Sequence, residues 1–196
     1  LDTLLALFSV NQIPTGSRDP FALRRAVNGL IRITSEYNMA FDIVETMAEL
    51  ASEYAEIDMQ KLESFFLERV KQYYKVNPSI VEAVLASGER EVVAMGKKIS
   101  ALDTIANAEG FSESFSTFKR VANITKDIDL SQDMSVDAKL FEDKSETTLF
   151  EAYKSVAVQK YDSYEEELDA LLGLKPELDM FFEDVMVNAE DEAVKN

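Results

Sequence analysis

Apolar residues recur along this chain at three- and four-residue intervals, the period of helices that bury one face. Leu1, Leu4, Leu5 and Phe8 form such a stripe within residues 1–10. A helix is therefore expected to be under way at the first residue, as in a piece of a longer chain. Residues 11–16, with Pro14 and Gly16, predict a turn. Asp19-Pro20 reads as an N-cap followed by proline at the first helical position, where the missing N–H costs nothing. The helix it opens should run to about Glu36 and turn Leu23, Ala26, Val27, Leu30 and Ile31 inward.

The same pattern continues. A second helix is expected over 41–54, with Ile43, Val44, Met47, Leu50 and Ala51 inward. Asp58 should cap a third that reaches about Val76 and carries Leu62, Phe65, Phe66, Arg69, Val70 and Tyr73. Asn77-Pro78 repeats the cap-then-proline signature, and Ser87-Gly88 should end that short helix. A helix over about 89–108 has Gly96 at its middle. Ser112 is expected to cap the next, to about Lys126, with Phe111 as a hydrophobic staple. Residues 127–146 read as a long connection packed through Leu140 and Phe141. Helices are expected over 147–161, 164–172 and 177–187, and the last eight residues resemble the start of another. No repeat and no low-complexity tract interrupts this series.

Composition agrees. The 196 residues are 46% hydrophobic, with six Gly, four Pro and no Trp, which points to an all-α protein built as an irregular multi-helix bundle. No apolar run approaches the ~18 residues that span a bilayer, so no membrane association is expected. The absence of Cys excludes disulfides and fits a cytoplasmic protein. The absence of His says more. It excludes zinc sites built on His and Cys, and the Ser-His-Asp and Cys-His nucleophile systems. No metal-binding or catalytic residue is assigned. A carboxylate-based hydrolase would need converging acids. Glu165, Glu166, Glu167 and Asp169 do not converge, because consecutive helical positions point different ways.

Net charge is −17, a field that repels nucleic acid unless basic groups are gathered on one face. They are gathered. Residues 17–32 hold Arg18, Arg24, Arg25 and Arg32 against Asp19 alone, whereas residues 142–196 hold sixteen acidic and five basic residues. On a helical projection Arg25 and Arg32 fall opposite the apolar face with Asn28 beside them. Arg18 precedes them in register, and Gly29 flanks the stripe. These four polar residues are candidate RNA contacts, since arginine combines a planar donor fork with a face that stacks on bases. Surface arginines on a long helix also serve as ion-pair partners of an acidic neighbour, and Arg24, at the edge of the apolar face, is read that way. Lys119, Asn123 and Lys126 share one side of their helix, with Arg120 adjacent, and form a second candidate. Phe111, Phe115, Phe118 and Ala122 are expected on its buried side. Lys71, Tyr73, Tyr74 and Lys75 interleave basic and aromatic residues, but the lysines suit a helix C-terminus and Tyr73 the core.

Four stretches together resemble the carboxy-terminal region of the bacterial glycyl-tRNA synthetase beta subunit. They are TGSRDPFALRRAVNGLIRI (15–33), FFLERVKQYYKVNPSIVEAVLA (65–86), FKRVANI (118–124) and FFEDVMVNAEDEAVKN (181–196), in the family's order. Asn188 stands where the family usually has Met. The FALRR segment is also similar to the Asp-Ala-Leu-Arg motif of arginyl-tRNA synthetase anticodon-binding domains, with Phe21 in place of the Asp.

The resemblance implies that residues 1–14 end a preceding HD-like domain and turn. Residues 15–196 would be a helical anticodon-binding domain, truncated at its carboxy end. It further implies glycine tRNA as ligand and a partner alpha subunit, in a heterotetramer of two alpha and two beta subunits. That alpha subunit would use ATP and Mg, with no cofactor in this segment. The residues alone leave open a helical module that contacts a partner subunit through its acidic face.

Overall fold

The computed structural model describes residues 1–54, 56–126, 128 and 136–185. Among them lie ten α-helices, one short 3-10 turn and no strand, an all-α protein. Residues 186–196, with Asn188 and the expected last helix, fall outside the described residues, as do residues 127 and 129–135 of the long connection. The chain divides into two compact units, Leu1–Asp103 and from Thr104 onward.

The first unit opens with α1 (Asp2–Ser9), whose Leu4, Leu5 and Phe8 are buried. Asn11 takes a positive φ of 57° to end it, a conformation Asn tolerates better than most residues. α2 spans Leu23–Glu36, so it starts three residues later than Asp19-Pro20 predicts. Asp19 is therefore not the N-cap, yet its side chain still serves the helix start. The Asp19 carboxylate reaches past a further turn and accepts the N–H groups of Leu23 (2.8 Å) and Arg24 (3.1 Å). Two orphan donors of the first turn are thereby satisfied. The N-cap position falls to Ala22 at φ 56°, a left-handed conformation that costs an alanine about 1–2 kcal/mol.

α3 (Ile43–Ala51) and α4 (Met59–Tyr73) are capped by Asp42 and Asp58, and α5 (Pro78–Ala86) by Asn77 with proline in its first turn. α6 runs from Val92 to Ala106. α2 packs on α4; α4 also packs on α3 and α5, and α1 on α3. The shared core holds Phe66, Leu62, Val27, Ile31, Met47, Met95 and Ile99, all at most 1% exposed. Val44, expected inward, is exposed.

Two loops clasp this unit. Ile43 N–H donates to the Arg90 carbonyl and Val92 N–H to that of Phe41. The Glu91 carboxylate accepts from the amides of Phe41, Val93 and Ala94. Gly96 also has a packing reason: a Cβ there would meet the Tyr74 hydroxyl oxygen at 2.7 Å. Tyr74 therefore seals α4 against α6, and no stacking platform forms with Lys71 and Lys75. Lys71 pairs with Glu82 at 3.3 Å, and Lys75 donates to the Gln72 carbonyl.

In the second unit α7 (Phe111–Thr125) starts with Gly110 at φ 82° as its N-cap; Ser112 lies inside the helix and does not cap it. The 3-10 turn Ala138–Leu140 precedes α8 (Lys144–Val158), which begins three residues before the expected Thr147. The cause is a capping box between Asp143 and Glu146. Phe141 packs edge-on against Phe150 at 5.5 Å, while Leu140 stays exposed. α9 spans Tyr164–Leu172, with Ser163 as its cap, and α10 spans Lys175–Asp184. α10 packs on both α8 and α7.

Candidate functional site

The turn before α2 is built from the TGSR segment. Thr15 and Arg18 exchange backbone hydrogen bonds at 2.8 and 3.1 Å around Gly16, which sits at φ 50°. Arg24 closes the turn from the helix side, donating to the Gly16 carbonyl at 2.7 Å. The role is structural, as expected, but the partner is a backbone oxygen rather than a carboxylate. Arg24 thereby leaves Arg18, Arg25 and Arg32 to face outward.

All three outward arginines and Asn28 are exposed. Among the described residues Arg18 and Arg25 make no ion pair. Arg32 lies 3.7 Å from Glu36 across one turn, with the two side chains 74% and 58% exposed. Such a pair contributes about 0.3–0.5 kcal/mol and gives way readily to a better anion. Ala26, assigned inward by periodicity, is exposed. Among the described residues a Cβ at Gly29 would meet nothing within 4 Å, so none of them requires a glycine there. Ile33 on the same helix and Tyr37 at its C-cap are exposed too.

The α7 candidates fare differently from one another. Lys119 and Asn123 are exposed on successive turns. Arg120 is exposed too, but its guanidinium lies over the Phe182 ring, 4.0 Å from the centroid. Its flat face is used to hold α10 onto α7. Beneath it, Thr117 donates to Asp179 at 2.7 Å, and Lys175 pairs with the same carboxylate. The Lys175 and Thr117 hydrogen bonds hold the Asp179 carboxyl below its ordinary pKa, and Asp179 in turn raises that of Lys175.

Periodicity misplaced one aromatic residue on this helix. It puts Phe115 on the buried side, yet Phe115 is 54% exposed and Ala122 is exposed with it. The buried position is Thr117. Sequence offers no local signal for this, because Thr117 needs Asp179 to be satisfied when buried.

Some of the acidic residues have local partners. Glu166 accepts from the Asp162 amide at the start of α9. Glu89 is held by Lys98 at 2.7 Å. Among the described residues no group of three or more carboxylates could hold a metal ion, and no helix is long and apolar enough to cross a membrane.

Comparison with known proteins gives the family of the chain. Residues 1–86 match the family model described as glycyl-tRNA synthetase beta subunit. The glycine–tRNA ligase beta subunit of Helicobacter pylori (strain G27) is 37% identical over 97% of this chain and 28% of its own length. Those of Lactobacillus delbrueckii subsp. bulgaricus and Shewanella pealeana are 35% and 36% identical over the whole chain and 30% of theirs. The chain thus spans a little under a third of the curated relatives it matches. From α1 to the end of α10, it belongs to the glycyl-tRNA synthetase beta subunit family.

Proposed function

We propose that this chain is the tRNA-contacting part of a glycine–tRNA ligase and that the outward face of α2 makes the contact with the anticodon arm. The observation that carries the reading is the state of the α2 arginines. In a chain of net charge −17, Arg18 and Arg25 are exposed without an ion pair among the described residues, and Arg24 is spent on the turn that presents them. Unneutralised cations in an acidic protein fit a polyanion that supplies the missing charge.

The mechanism is positional. Arg18, Arg25 and Arg32 neutralise backbone phosphates, while Asn28 and Asn123 offer donor and acceptor together, as base edges require. Lys119 and Arg120 add positive charge on α7. In this reading the ligase is a heterotetramer in the bacterial cytoplasm. Its alpha subunit supplies ATP, Mg and the bond chemistry, and this segment breaks no bond.

The test is binding of glycine tRNA to the full protein across a salt series. Arg25→Ala with Arg32→Ala should weaken binding and lower the slope of log K against log salt by about one per lost phosphate contact. A double variant that binds and charges tRNA like wild type removes α2 as the site. Absence of tRNA binding at low salt, with tight association to the alpha subunit, would assign the segment to subunit docking instead.

A further inference from the structure

Phe115 and Tyr153 are the well-exposed aromatic residues of the second unit among those described, and Phe115 is the one with a second ring stacked against it. Phe115 is 54% exposed, and its ring stacks on that of Phe111, at 28° and 5.5 Å between centroids. Phe111 is half-buried and backs it. Phe115, Lys119 and Asn123 follow one another at four-residue spacing, within a sector of about 80° and roughly 6 Å apart along the axis. All three are exposed, and Lys119 and Asn123 make no side-chain hydrogen bond or ion pair among the described residues.

The charge around this line is unusual for the chain. From Ser114 to Lys126 there are Lys119, Arg120 and Lys126 and no acidic residue, in a protein with 37 acidic residues against 20 basic. A ring supported on one side, a cation one turn on and an amide one turn further match the three needs of an unpaired nucleotide. The base stacks, the phosphate is neutralised and the base edge is hydrogen-bonded. An apolar protein partner would leave the lysine and the asparagine to be desolvated without return.

We propose that Phe115, backed by Phe111, is a stacking platform for an unpaired base of the bound RNA, with Lys119 on its phosphate and Asn123 on a base edge. The proposal rests on the tRNA-contact reading above and adds a specific ring to it. It gives Phe115 a binding role in place of the core role that periodicity suggests.

The experiment uses the full protein and glycine tRNA carrying 2-aminopurine, placed in turn at the unpaired anticodon-loop positions. Stacking on an aromatic ring quenches this fluorophore. At one position the wild-type protein should quench it, Phe115→Tyr should do the same, and Phe115→Leu should not. Phe115→Leu should also weaken tRNA binding at least about fivefold, the lower end of measured base–aromatic contributions. Because Phe115 is exposed, its thermal midpoint should stay near that of wild type. Quenching and affinity that survive Phe115→Leu overturn the platform. If they survive while Arg25→Ala with Arg32→Ala loses binding, the platform alone falls. If wild type does not bind tRNA at all, both readings fall.

Discussion

The two units of this chain are held together in different ways. In Leu1–Asp103 nineteen buried apolar residues form one cluster, drawn from α1 to α6 and the Phe41 loop. In the unit from Thr104 onward, only Ile105 and Leu174 are buried apolar residues among those described. Thr117 and Ser145 are buried with them, while Phe115, Ile124, Tyr153, Val158 and Met180 remain well exposed. Polar contacts of defined geometry do more in this unit: Thr117 and Lys175 on Asp179, Arg120 on Phe182, and the Asp143–Glu146 capping box. Polar contacts at a surface stabilise only weakly, whereas burying one Leu or Phe gives about 1.5–3 kcal/mol. The first unit is therefore the stability reservoir. The second is the part in which exposed aromatic and basic groups remain available for a partner.

The largest expected effect tests that asymmetry directly. Phe66→Ala should cost about 3–5 kcal/mol by denaturant melts, since Phe66 is fully buried between α4 and its neighbours. Hydrogen exchange should show α2 and α4 losing protection in that variant. In wild type, α7 to α10 should exchange first. If the second unit proves the better protected, the comparison fails.

A smaller effect asks how closely the first unit is packed. Gly96→Ala places a methyl 2.7 Å from the Tyr74 hydroxyl and should destabilise by about 1–3 kcal/mol. That hydroxyl is buried without a hydrogen bond of normal geometry, and burial pushes its pKa up, against a weaker opposing pull from the nearby Ser35 side chain. Tyr74→Phe should therefore be nearly neutral alone and should rescue Gly96→Ala in a double-mutant cycle. Gly29→Ala, in an equally helical but open position, should instead stabilise by up to about 1 kcal/mol. Opposite signs at the two glycines would separate packing from helix propensity.

The smallest effects belong to the second unit. Thr117→Val should cost about 1 kcal/mol, the loss of one hydrogen bond to Asp179. Asp179 is held below its ordinary value of 3.8, first by Lys175 and then by Thr117. A depressed carboxylate stabilises the fold above its unfolded pKa, and that contribution disappears as pH falls through the lower folded value. In the first unit Glu89 is also lowered. Burial works to raise its pKa, but hydrogen bonds from Lys98 and from the Glu91 and Arg90 amides outweigh it. With its apolar core intact that unit should hold longer, so acid titration below about pH 4 should expose α7 and α10 to exchange before α2 and α4.

Local chemistry determined the helices. The absence of long β-branched runs, the apolar period and the caps Asp42, Asp58, Asn77 and Ser163 act within one or two turns. Tyr164–Leu172 accordingly emerges with the limits its sequence predicts. The outward face of α2 was legible for the same reason: Arg25 and Arg32 must oppose Val27 and Ile31 on any regular helix. Tertiary structure decided what depends on distant partners. Arg24 needed the Gly16 carbonyl to become a clamp, and Gly96 needed Tyr74 to become indispensable. Thr117 needed Asp179, 62 residues away, to be the buried residue of α7 and so leave Phe115 in solvent. Period alone ranks Phe above Thr for the core; a hydrogen bond donated to a helix far along the chain reversed that order.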